Sequence, residues 1–114
     1  MNAPTEFKDV RPVKPWQMLC ADGVAIVQMV LEKRNDAIPQ HSHEYPHHTL
    51  IARGSVRVWA DGVHIGDYVE REAVFIAAGV KHLFVALEDN TVAYCIHNTR
   101  DGEVEIRAEH KVGG

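Results

Sequence analysis

The sequence predicts an all-β domain, an antiparallel sandwich or barrel, on three observations. Short apolar runs rich in β-branched residues recur between residues 24 and 97. Asp-Gly pairs, which tolerate positive φ at both positions of a tight hairpin turn, punctuate the chain at Asp22-Gly23, Asp61-Gly62 and Asp101-Gly102. No stretch of twelve residues carries a clean helical period of 3.6. A chain of 114 residues is enough for one such domain and one core.

Residues 1–19 read as an extended arm, because Pro4, Pro12 and Pro15 each oppose a helix or a central strand. Trp16, Met18 and Leu19 give the end of that arm something to bury against its own domain or a second subunit. The barrel is assigned to residues 20–110 and a short tail to 111–114. Its first run, Val24 to Leu31, is too short and too valine-rich for a helix. Val56 to Ala60 alternates after Gly54, and Val74 to Ala77, Leu83 to Ala86 and Val92 to His97 follow as further short strands. Trp59, Phe75 and Phe84 fall on such runs, where core packing is the expected role. Cys95 reads as a small buried hydrophobe.

Composition limits the function. The chain is 46% hydrophobic and 25% charged, ordinary globular values. A formal charge of -4 offers no basic stripe for nucleic acid or an anionic membrane. Two cysteines make neither a disulfide framework nor a cysteine-rich zinc site. No apolar run reaches the ~20 residues that span a bilayer. The N-terminal MNAPTEFKDV lacks the basic-then-apolar secretory pattern, so a cytoplasmic location is expected.

Histidine is the outlier: eight in all, four of them between His41 and His48. His43-Glu44-Tyr45-Pro46-His47 formally matches the H-E-x-x-H pattern of helical zinc proteases. That pattern needs both histidines on one helix face, and Pro46 inside the helix costs about 3 kcal/mol or more, so the reading fails. On a strand, His41 and His43 are two apart and share a face. A bend at Pro46 then returns His47 toward the same pocket. Imidazoles suit manganese, iron, nickel, copper, cobalt or zinc. His64, His97 and His110 lack such spacing and read as surface or core polar residues. Glu44 and His48 are the nearby candidates for a side-chain base, although a glutamate that follows a ligand in a loop is more often just solvated. Gln28, the lone polar residue of its run, Tyr45, His48 and Phe84 are candidate pocket-lining residues; Phe84 shares the parity of His82.

These residues carry a resemblance to the cupin superfamily, specifically its small single-domain bacterial members. The first cupin motif is G-x5-H-x-H-x3,4-E-x6-G. Here Asn35 stands in the opening glycine position, His41 and His43 supply H-x-H, His47 replaces the glutamate, and Gly54 closes the motif. The second motif, G-x5-P-x-G-x2-H-x3-N, resembles the stretch from Arg71, with Gly79 and His82 matching. Arg71, Ala77 and Ala86 replace its glycine, proline and asparagine. The resemblance implies a double-stranded β-helix, or jelly roll, covering roughly residues 24 to 97. It further implies a divalent transition metal on four ligands: His41, His43, His47 and His82. His48 competes with His47 for the third position, but His47 alone keeps the spacing to Gly54, and alternation turns His48 to the opposite face.

Four neutral imidazoles leave the charge of such an ion uncompensated. That favours a small anionic chelating ligand such as an enolate, diketonate, catecholate or hydroxy-acid carboxylate. The expected function is a metal-dependent oxidoreductase of dioxygenase type. A non-catalytic metal or small-ligand binding module, and an isomerase or epimerase, are the alternatives. Small cupins are commonly dimers, so a homodimer is expected.

Overall fold

A computed structural model describes residues 10–99; the side chains of Gln17, Pro39, Gln40 and His41 lie outside that description. Asp101-Gly102, His110, the tail at 111–114 and the first nine residues of the arm also lie outside it. Among the described residues there are ten strands and no helix. They are β1 (Arg11–Pro12), β2 (Trp16–Ala21), β3 (Val24–Leu31), β4 (Asp36–His41), β5 (His47–Arg53), β6 (Ser55–Ala60), β7 (Val63–Val69), β8 (Ala73–Ile76), β9 (His82–Ala86) and β10 (Thr91–Asn98). No helix among these residues is long and apolar enough to cross a membrane.

The strands form two five-stranded sheets, ordered β1-β4-β9-β6-β7 and β2-β3-β10-β5-β8. Apart from the short parallel pair β1–β4, every pairing is antiparallel. Successive strands alternate between the sheets at the β4–β5 and β8–β9 crossings, the winding of a double-stranded β-helix. The hairpins turn where the Asp-Gly pairs stand: Asp22 and Gly23 have φ of 54° and 77°, and Asp61 and Gly62 have 48° and 79°.

The two residues that replace motif glycines keep glycine's backbone. Asn35 has φ of 75° and Arg71 has φ of 78°. Arg71 holds the left-handed conformation in a turn closed by Glu72 N–H, which donates to Val69 O at 3.0 Å, while its own N–H donates to Ile51 O on β5 at 2.9 Å. Gly54 (φ 79°) cannot be replaced so easily, since a Cβ there would lie 2.9 Å from Thr91 Cα.

The segment read as an arm is partly sheet. Residues 11–12 and 16–21 pair with β4 and β3. Prolines are tolerated because both strands lie at sheet edges, where a missing ladder donor does no harm. Arg11 secures the first of them. Its guanidinium donates to both oxygens of buried Asp36 at 2.6 Å, and this pairing holds the Asp36 carboxyl below its ordinary range.

The inward faces of the two sheets meet in one core built on Met29, Leu31, Ile51, Val58, Ile76 and Phe84. β9 is buried on both faces. Its outward Leu83 and Val85 pack with Ala37 and Trp59, with Val10 laid against them. Trp59 and Phe84 are thus core residues as expected. Phe75 is not: it points outward on β8 and is 55% exposed, because Val74 and Ile76 take the inward positions.

Candidate metal centre

Three imidazoles meet between the sheets at one end of the core. His47 opens β5 in one sheet, and His82 opens β9 in the other. His43 sits between them in the linker from β4 to β5, not on a strand as its spacing suggested. The linker is held to the second motif by Gly79, whose N–H donates to His43 O at 2.7 Å. All three histidines are buried. One ring nitrogen from each lies within 4.8 Å of the others, and the ring centroids are 4.9 to 5.5 Å apart. This is the group among the described residues that could hold a metal ion. His41 ends β4 with its backbone in register opposite His82. Its side chain lies outside the described ones, so the cluster seen comprises three histidines rather than the four expected.

The donor set fits a divalent ion of the imidazole-preferring series. Carbonyls only accept hydrogen bonds, so the 3.1 Å contact between His82 Nδ1 and Val80 O places a proton on Nδ1. The basic lone pair of neutral His82 is therefore on Nε2. The Thr49 hydroxyl lies 3.4 Å from His47 Nδ1 and 3.3 Å from Cys95 Sγ, a partner outside the cluster of the kind that orients ligating rings. Burial pushes the Cys95 thiol up to about 11, so it stays a neutral neighbour rather than a thiolate ligand.

A pocket opens from the cluster, with about 320 Å³ of empty space that includes open solvent. Val27, Met29, Ile38, Phe84 and Cys95 line its apolar side. Pro15, Tyr45 and His97 line the rest beside the three histidines. Tyr45 is stacked between two imidazoles, 4.6 Å from the His43 ring and 4.2 Å from that of His97. Burial lowers His97 to about 4, so this ring is uncharged at neutral pH.

Of the candidate lining residues, Tyr45 and Phe84 face the pocket. Gln28 does not. It shares parity with Ile26 and Val30 on the outer face of β3, where its amide donates to the Tyr94 hydroxyl at 3.2 Å. His48 is also outside, exposed against Phe75 at a centroid distance of 5.1 Å, as alternation after inward His47 requires. Glu44 is exposed as well.

Sequence reasoning missed His97 and gave Cys95 no pocket role. The signal for them was weak but present: Ala93, Cys95 and His97 share one parity on β10. Which face that is depends on the register Cys95–Val27 and Cys95–Thr49 with neighbouring strands.

No protein-family model matches the chain, and no curated protein matches its sequence. Solved structures do. An RmlC-like cupin family protein with a double-stranded β-helix fold from Methanocaldococcus jannaschii is 17% identical, with a TM-score of 0.70 over 86% of this chain and 90% of its own. KdgF from Halomonas sp. is 15% identical, with a TM-score of 0.67 over 79% and 81%. A cupin-2 domain containing protein from Shewanella frigidimarina is 16% identical, with a TM-score of 0.61 over 75% and 79%. At such identities the likeness speaks for architecture. Together with the topology, it establishes that this chain has the double-stranded β-helix fold of cupin-type proteins.

Proposed function

We propose that the protein is a metal-dependent cupin that binds a small anionic chelating molecule and acts on it as an oxidoreductase of dioxygenase type. The observation that carries this reading is the convergence of buried His43, His47 and His82 at the floor of a pocket. His41 is retained as the fourth ligand on the strength of its backbone register with His82. A manganese, iron or related ion bound there supplies Lewis acidity and, when redox-active, electron transfer with dioxygen.

The chain's own residues do the rest. The Val80 carbonyl holds the His82 ring with Nε2 available as donor. Val27, Met29, Ile38 and Phe84 exclude water from one side of the ligand space. All three clustered donors are neutral imidazoles, so the ion's charge is left for an anionic ligand to balance. Among the described lining residues there is no carboxylate, so an isomerase would have to draw its side-chain base from Tyr45 or His97.

The test loads the protein anaerobically with iron or manganese and follows oxygen uptake with diketones, catechols and hydroxy acids. We expect metal-dependent uptake with at least one class. Tight ligand binding without turnover supports a binding module instead. No uptake with any metal across the panel overturns the oxygenase reading.

We also propose a cytoplasmic homodimer formed through the outer face of the sheet β2-β3-β10-β5-β8. Two adjacent rows cross all five strands there without a charged residue: Leu19-Ile26-Ile96-His48-Phe75 and Trp16-Gln28-Tyr94-Leu50-Ala73. Trp16, Leu19, Leu50 and Phe75 are exposed on it. For a chain carrying -4, an uncharged face is where two copies approach with least repulsion. Light scattering is expected to give twice the chain mass, and Leu50→Glu with Phe75→Glu to halve it. A monomer mass for the unaltered protein refutes the dimer.

A further inference from the structure

The pocket's wall specifies more than a chelating anion. Apart from the cluster itself, its described lining offers apolar side chains and stacked rings. The apolar part is Pro15, Val27, Met29, Ile38, Phe84 and Cys95. The ring part is Tyr45, with its ring 18° from the plane of His43 and 29° from that of His97. No lysine, arginine, aspartate or glutamate is among these residues.

Three consequences follow for a ligand whose chelating end sits at the histidines. A second anionic group finds no cation to pair with, and its desolvation goes uncompensated. Hydroxyls along the body lose water against aliphatic side chains with nothing given back. A flat apolar body gains burial against the aliphatic side chains.

We propose that the site selects small monoanionic chelators with an apolar, ring-bearing or branched body, and rejects polyhydroxylated and dianionic chelators of the same head group. The inference rests on the metal-centre reading above and names the class of molecule that centre accepts.

Mandelate, gluconate and malate share an α-hydroxycarboxylate head and differ in body: a phenyl ring, a polyol and a second carboxylate. Each is titrated into the full chain loaded with Co²⁺, whose visible absorption reports entry of a ligand to the metal. Cobalt content is measured separately. Each affinity is divided by that anion's affinity for Co²⁺ in free solution. Mandelate is expected to exceed both others by tenfold or more on this scale.

Met29→Gln, close to Met29 in size, and Val27→Thr, an isostere, are expected to reduce that preference threefold or more with cobalt content unchanged. Gluconate or malate binding as well as mandelate overturns the inference while the metal centre stands. So does an unmoved preference in whichever of the two variants folds. Failure of the unaltered protein to take up Co²⁺ overturns the metal-centre reading, and this inference with it.

Discussion

Replacing His82 by alanine is expected to lower divalent-metal affinity by about 100-fold or more, beyond the usual 10–100-fold range for losing an outer-shell partner. The side chain is 1% exposed, and its Nδ1–H is already committed to Val80 O. His48→Ala is the matched control: it removes an imidazole one residue from His47 that faces Phe75 outside the barrel. Competition with a chromophoric chelator measures the affinities directly. Thermal unfolding provides a second readout. An ion that binds the folded state alone stabilises it by roughly 2.7 kcal/mol at a hundred times its dissociation constant. The unaltered protein and His48→Ala should both gain that increment on metal addition, whereas His82→Ala should not. Equal metal affinity in His82→Ala and the unaltered protein contradicts the proposed centre.

The second large effect is acid destabilisation through His97. Its ring is 6% exposed and stacked on Tyr45, and burial lowers it from about 6.5 to about 4. The sign follows from which state holds the proton. Below about pH 6.5 the unfolded chain binds a proton at His97 that the folded chain does not take up until about pH 4. Its contribution is therefore complete at neutral pH and declines as pH falls through that window, by up to about 1.4 kcal/mol per unit. Urea unfolding at pH 7, 6 and 5, with a chelator present to exclude metal linkage, measures it. His97→Gln removes the titrating group, so its stability should fall less steeply over the same range. Parallel pH profiles for the two proteins count against a buried neutral His97.

Local chemistry accounts for what could be read directly from the chain. The run Val24 to Leu31 is apolar and β-branched, and it is β3. Asp22-Gly23 and Asp61-Gly62 turn because their backbones tolerate positive φ. Asn35 was expected to tolerate a glycine conformation and does, whereas nothing about an arginine announced the same at Arg71. Strands β2 and β7 escaped notice because edge strands are partly solvated and lose the apolar pattern. β7 in particular carries His64, Gly66 and Asp67.

The histidines mark the boundary between these two kinds of information. Spacing alone brought His41, His43 and His47 to one short segment, and alternation alone turned His48 away from His47. Only the second is a consequence of the two-residue period of an extended chain, since His43 lies in the linker between β4 and β5. Whether His82 joins them depends on β9 pairing with β4 and on Gly79 reaching His43, contacts across 36 to 48 residues. The same holds for Cys95 and His97, which share a parity in the sequence but acquire a pocket only when β10 sits between β3 and β5. Backbone preference and side-chain chemistry within a few residues are enough for the strand-rich class, the turns and the identity of the candidate donors. Tertiary structure decided which donors meet, which face of each strand is inward and what walls the ligand space, because register is settled by long-range pairing and the burial of both sheets together.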